Sequence, residues 1–165
     1  MKVREFKGEY AFLCNFYKVY VPFVYNGVTY NTSEAAFQAA KYNGHNAEMV
    51  HKVFAKCTPD ESKKLGRAIK LRKDWEEVKD GIMFDVVKAK FDADPELKQR
   101  LLDTGDMELI EGNTWGDTYW GVCEGQGQNR LGTTLMCLRD FYNEEARANA
   151  LEYRDYLDNT QKEEE

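Results

Sequence analysis

Apolar residues recur at helical spacing over most of the chain and alternate at strand spacing only near its beginning. Residues 3–6 read as a short strand. Residues 12–16 are apolar enough to be buried, but they enclose Asn15, whose amide then needs partners, most simply in tying down a turn. Residues 20–30 alternate weakly about Asn26-Gly27, two residues that accept positive φ, and so predict a hairpin. Residues 32–42 follow as a helix, with Thr32 as N-cap, Glu34 in the first turn and Gly44 as the stop. Residues 46–56 carry Met49, Val50, Val53 and Phe54 on one side of a second helix. Thr58-Pro59-Asp60-Glu61 is a capping box opening a third, which Gly66 is expected to end or kink. Asp74-Trp75-Glu76-Glu77 predicts another capping box and a long helix with Trp75, Val78, Ile82, Val86 and Ala89 on its inner face, Trp75 reading first as a core residue. Asp94-Pro95-Glu96 starts a helix that Gly105 closes. Residues 108–111 suggest a strand, residues 112–121 are irregular, and the glycine-rich run 125–132 feeds a helix marked by Leu131, Leu135, Leu138 and Tyr142. Residues 145–157 look like an added amphipathic helix and 160–165 like a solvated tail. The class is α+β, a predominantly helical single domain with a small β-hairpin or sheet, spanning 1–143 and extended by 144–165.

The helix at 32–42 stands apart. At about 100° per residue, Glu34, Gln38 and Lys41 fall within roughly 60° of one another, while Ala35, Ala36, Phe37, Ala39 and Ala40 cover the rest. Such a helix is either buried with a narrow acid–amide–amine stripe lining a cleft, or a surface helix whose polar side is simply solvated.

Composition changes this picture little. The 165 residues are 42% apolar and 13% aromatic, enough for one packed core. Charge is more informative: from residue 144 onward eight acids face three bases, so −5 of the net −6 lies in the extension and −1 on the body. A near-neutral body without a Lys/Arg run argues against a grip on duplex nucleic acid through its backbone. Cys14, Cys57, Cys123 and Cys137 lack the paired spacing of a zinc site and are expected as reduced thiols in a cytoplasmic protein. No apolar run is long enough to span a bilayer. With only His45 and His51, chemistry centred on histidine is the weaker expectation.

Two acids sit in unusual company: Glu34 on the apolar helix, and Asp117 between Trp115 and Trp120. A carboxylate among aromatic rings suits a site that stacks on a flat base and keeps water scarce. That equipment fits cleavage at a sugar's anomeric carbon, where the transition state is oxocarbenium-like. Lys41, Arg67, Arg72 and Arg139 are candidates to hold a phosphate, although each such residue alone is more often a surface charge. The glycine-rich run ahead of a helix is a generic anion-binding arrangement, but neither a Walker A pattern nor a dinucleotide fingerprint.

Ordered blocks extend over residues 12–139: Asn15-Phe16; Thr32-Ser33-Glu34 with Phe37-Gln38 and Lys41; Leu65-Gly66-Arg67; Arg72 with Asp74-Trp75 and Met83; Lys90-Phe91; Leu101-Leu102 with Thr104-Gly105; Leu109-Ile110-Glu111; Asp117 with Trp120-Gly121; and Gly127 with Asn129, Leu131-Gly132, Leu135-Met136 and Arg139. Together they resemble the NADAR, or YbiA-like, family. The resemblance implies an N-glycosidase, a hydrolase acting on riboflavin biosynthesis intermediates. Glu34, Asp117 and Trp120 would be its catalytic residues. Asn15, Phe16, Gln38, Lys41, Arg67, Trp75, Asn129 and Gly132 would bind substrate, with Lys41, Arg67 and the glycine-rich loop toward phosphate. No metal or cofactor is implied, and the partner is a small nucleotide-like substrate, nucleic acid entering only through a modified base. Two other readings stay open: a glycosidase removing ADP-ribose from guanine, and a non-catalytic module binding ADP-ribose or NAD. Cys14 stands where the family usually has serine and Ala35 where it usually has histidine, so any contribution of that imidazole is absent.

Overall fold

A seven-residue helix lies at the centre of the molecule, touched from four directions. The computed structural model describes residues 1–163. The central helix is α1, Ser33–Ala39, and every one of its residues is buried. The Thr32 hydroxyl accepts from the Ala35 N–H at 3.3 Å and starts it, as its position predicts. It ends at Ala39, earlier than expected, because the Lys41 N–H turns back to the Gln38 carbonyl. Gly44 serves a different purpose: a Cβ there would lie 2.3 Å from the Tyr42 hydroxyl.

Around α1 pack α2 (Ala47–Phe54), α3 (Pro59–Ala68), α4 (Trp75–Ala93) and the hairpin β2 (Phe23–Tyr25) and β3 (Val28–Tyr30). The hairpin turns through Asn26 and Gly27, both at positive φ, as the Asn-Gly signal requires. On the far side of α4 lie α5 (Pro95–Leu102) and α6 (Arg130–Glu163). The core between them is formed by Val86, Phe91, Leu101, Leu135, Leu138 and Tyr142. Two short parallel pairs join distant segments: β1 (Lys2–Val3) with β4 (Glu108–Leu109), and β5 (Gly112–Asn113) with β6 (Val122–Cys123). Among the described residues no helix is long and apolar enough to cross a membrane.

Several elements differ from their expected form. The strands expected at 3–6 and 108–111 are cut to two residues each, since the Glu111 N–H is taken by the Asn129 side chain and its carbonyl by Val122. Gly66 neither ends nor kinks α3 but sits inside it, for a Cβ there would lie 1.8 Å from Gln38 Oε1. Asp74 forms no capping box; its carboxylate turns back to the Arg72 guanidinium in a bidentate pair of 2.7 and 2.8 Å. Residues 145–157 are no separate helix, because α6 continues through them unbroken, and 143–154 are exposed throughout. Of the tail expected at 160–165, residues 164–165 lie outside the described residues and the remainder belongs to α6.

One buried cation secures the wall of the site. Lys90, fully buried on α4, donates to the carbonyls of Phe12 (2.5 Å) and Cys14 (3.3 Å), fixing the loop that carries Asn15. Burial pulls its pKa down from 10.5 to about 7, against a small opposing pull from Cys14. Between those two values the unfolded chain holds the extra proton, so stability should rise with pH across that window, by on the order of 3–4 kcal/mol. Urea titrations at pH 7 and 9.5 should show that gain in the parent and lose most of it in Lys90→Met; equal slopes in both proteins would contradict the assignment.

Candidate active site

A cleft of about 800 Å³ opens beside α1, floored by Glu34, Phe37 and Gln38. Thr32 caps the helix and the Glu34 N–H donates to the Asn15 carbonyl at 3.0 Å, so the segment holding Asn15 and Phe16 is stitched to the start of α1. One helical turn then brings Gln38 over Glu34, and the Gln38 amide donates to Glu34 Oε1 at 2.8 Å. That amide is itself pressed between α1 and α3 at Gly66. Gln38 therefore orients the carboxylate as well as lining the cleft.

Glu34 is only 7% exposed. Burial raises its pKa, while the Gln38 hydrogen bond, Lys63 and Lys41 pull it back toward the charged form and Asp117 pushes it further up. The outcome is a carboxylate with enhanced proton affinity that still has cations at hand. Lys41 is lowered, chiefly by burial and also by the positive charges of Arg67 and Lys63, against the pull of Glu34. All three line the cleft, close enough for Arg67 and Lys63 to act on Lys41. Lys41 Nζ lies 5.7 Å from the Trp75 ring centre, and Lys63 Nζ lies 5.5 Å from Phe16 and 5.8 Å from Trp115. Mutually repelling cations beside aromatic rings are suited to an incoming anion.

The aromatic wall is built around Phe37, whose ring centre lies 5.1 Å from both Trp75 and Trp120. Trp75 is thus core and cleft wall at once. The loop bearing Asp117 is held by Asn113, whose amide donates to the Asp117 carbonyl and accepts from its N–H. Asp117 Oδ1 accepts the N–H groups of Tyr119 and Trp120 at 3.1 and 2.9 Å. Asp117 also lines the cleft, and the turn leaves its second carboxylate oxygen without a partner of its own.

Of the residues named from sequence, Asn15, Phe16, Glu34, Gln38, Lys41, Arg67, Trp75, Asp117 and Trp120 all line this one cleft. Asn129 and Gly132 do not. Asn129 accepts from the Glu111 N–H and donates to the Leu109 carbonyl, and a Cβ at Gly132 would lie 2.1 Å from that same carbonyl. The pair docks the start of α6 onto β4 and leaves no amide for a ligand. Arg72 is committed to Asp74, and Arg139 is buried against Thr104 and the Met107 carbonyl, so neither meets a phosphate in the cleft. His51 is buried against the Tyr30 hydroxyl and lies outside the cleft lining.

The cleft also contains groups that sequence reasoning gave no role. Lys63 joins Lys41 and Arg67 in the lining. Glu111, 9% exposed, has its Oε2 buried without a hydrogen-bond partner. Its pKa is pushed up to about 7 by burial first and then by the charge of Asp117; Lys63 pulls down, Glu34 adds to the rise, and Lys7 opposes it.

A sequence profile of the NADAR domain matches residues 3–142. The chain belongs to the NADAR family. It is 39% identical to N-glycosidase YbiA of Escherichia coli K12 over 123 residues, 72% of this chain and 74% of that protein. It is also 39% identical to N-glycosidase Npun_R5314 of Nostoc punctiforme, covering 66% of this chain and 72% of that one. It is 31% identical to the riboflavin biosynthesis protein VVA0006 of Vibrio vulnificus over 89% of this chain, spanning 40% of that longer protein. The solution structure of E. coli YbiA superposes with a TM-score of 0.76 at 33% identity, covering 88% of this chain and 86% of the other. The small-stranded, mainly helical architecture of this NADAR chain is therefore that of YbiA, and the matched span contains the whole cleft.

Proposed function

We propose that this NADAR chain is an N-glycosidase that hydrolyses the bond between a phosphorylated ribose and a nitrogenous base of the kind found in riboflavin intermediates. The observation that carries the reading is the buried Glu34 carboxylate, aimed by Gln38 into a cleft walled by Trp75 and Trp120. The names of its relatives in E. coli, Nostoc and Vibrio support the reaction and the substrate class. In this reading residues 1–143 form the catalytic unit and 144–165 an appendage. The setting is cytoplasmic, in keeping with four free thiols.

Hydrolysis places water oxygen on C1′ as the C1′–N bond breaks and its electron pair leaves with the base. Glu34 receives the proton of the attacking water and balances positive charge at C1′. The enhanced proton affinity that burial gives this carboxylate strengthens it in both roles. Trp75 and Trp120 flank the flat base, Asn15 offers an unpartnered buried Oδ1 to a donor on base or ribose, and Lys41, Lys63 and Arg67 meet the phosphate. Asp117 lies near enough to Glu34 to affect its charge, and its second carboxylate oxygen is free to accept from a ribose hydroxyl.

One observation favours a larger substrate as a second reading: the cleft is roomier than a single phosphoribosyl group and base need, which suits release of ADP-ribose from guanine. The pure protein should be incubated with a ribosylamino-pyrimidine 5′-phosphate and, separately, with an ADP-ribosylated guanine nucleotide, and free base followed by mass spectrometry. Release from the first supports the primary reading, and release from the second alone supports the other. Tight binding without release would make the chain a binding module.

The Gly66–Gln38 contact yields a sharper expectation. Gly66→Ala must displace the Gln38 carboxamide and also press on Gln38 Cβ at 3.2 Å, and so should detach the amide from Glu34 and loosen the contact of α1 with α3. kcat should fall by about 10- to 100-fold, accompanied by a modest fall in unfolding midpoint. Unchanged kcat would show that Gln38 does not position the carboxylate.

A further inference from the structure

Departure of a base from C1′ leaves an electron pair on its nitrogen, and a proton must meet it. Glu34 is occupied with water. Asp117 Oδ1 holds two backbone N–H groups, so its carboxyl is employed as an acceptor. Glu111 is differently placed. Its backbone is pinned on both sides, the N–H by Asn129 Oδ1 at 3.0 Å and the carbonyl by the Val122 N–H at 2.9 Å. Gly121 lets it pack closely, since a Cβ there would lie 3.1 Å from Glu111 Cγ. Among the described residues no N–H or O–H donor reaches the carboxyl itself: Oε2 is buried, unpartnered and part of a residue lining the cleft. A buried carboxyl without donors, and with two other carboxylates as neighbours, is the cheapest place in the cleft to keep a hydrogen.

We infer that Glu111 is the proton donor to the departing base, acting together with Glu34 as a pair of carboxyl groups with opposite duties. This rests on the glycosidase reading above. As the C1′–N bond lengthens, the Glu111 O–H proton passes to the base nitrogen, which keeps the bonding electrons. Water adds to C1′ and gives its proton to Glu34. The turnover ends with Glu111 ionised and Glu34 protonated, and exchange of one proton through solvent resets both. No redox partner is needed and the sum is ribose–base plus water to ribose plus base. The charged and titratable groups facing Glu111 are Asp117, Glu34, Lys63 and Lys7, with Cys14 also within its field. The two acids and burial outweigh the two lysines and hold the proton on Glu111 up to about pH 7.

The test compares the full chain with Glu111→Gln and Glu111→Asp on whichever substrate the parent turns over. The parent's kcat should fall on the basic side of about pH 7, as Glu111 loses its proton. Glu111→Gln keeps shape and both backbone bonds but has no proton to give. Its kcat should drop by about 100-fold or more, its KM should stay within about threefold, and its basic limb should vanish. Glu111→Asp, which retains an acid, should recover part of the rate together with a basic limb. A Gln variant within about threefold of the parent's kcat and with the same basic limb would overturn the assignment and leave the glycosidase reading intact. Absence of turnover by the parent on every substrate would end both. Should Glu111→Gln fail to fold, the parent profile decides: a kcat that stays flat or rises from pH 6 to 9 overturns the donor role.

Discussion

Glu34→Gln stops base release while leaving the fold intact: kcat falls by about 10³-fold or more, and the unfolding midpoint at pH 8 stays level or rises. The two halves of this expectation share a cause. Glu34 is buried, and burial raises its pKa, so the folded state bears a cost for keeping the carboxylate ionised above its ordinary titration range. Glutamine removes that cost, and its carbonyl still accepts the Gln38 amide that now reaches Glu34 at 2.8 Å. It cannot take a proton from water or balance a cation at C1′. Mass-spectrometric rates at saturating substrate and a thermal melt at pH 8 check the pair of outcomes. Activity within tenfold of the parent would remove Glu34 from the mechanism.

Phe37→Ala is the substitution that should damage the molecule most. Phe37 is 3% exposed and its ring is the contact shared by Trp75 and Trp120. Truncating a buried phenylalanine costs about 3–5 kcal/mol, and two aromatic contacts add about 0.5–1.5 kcal/mol each beyond their area. The loss should appear as a drop in urea midpoint at unchanged slope. Phe37→Leu, which fills most of the space, should recover the greater part of the stability but less of the turnover, because leucine cannot hold two indoles at fixed angles. A loss below about 1.5 kcal/mol in the alanine variant would mean that the aromatic wall closes around the gap.

The features legible in sequence were those set by neighbours along the chain. Thr32 caps α1, Asn26-Gly27 turns the hairpin, and the stripe of Glu34, Gln38 and Lys41 lines one cleft, since each depends on residues within seven positions. Where two distant segments meet, local signals misled. Gly66 looked like a helix breaker, yet propensity yields to the close approach of α1 and α3. Asn129 and Gly132 looked like an anion loop, but their partners are Leu109 and Glu111, about twenty residues earlier. Glu111 carries no local mark of a site for the same reason: beside Leu109 and Ile110 it reads as the end of a strand. The available hint was an acid followed at once by glycine at the end of an apolar run, where a carboxyl is carried inward by its neighbours.

The length of α6 bears on how the molecule behaves in bulk. Its exposed continuation past Tyr142 begins the segment that carries −5 of the −6 net charge, while residues 1–143 carry −1. Mutual repulsion between molecules near neutral pH therefore originates mainly outside the span Cys14–Leu131 that supplies the described lining of the cleft. Removing residues 144–165 should therefore cost most of this colloidal protection, and the shortened chain should precipitate near neutral pH at concentrations where the 165-residue chain stays dispersed.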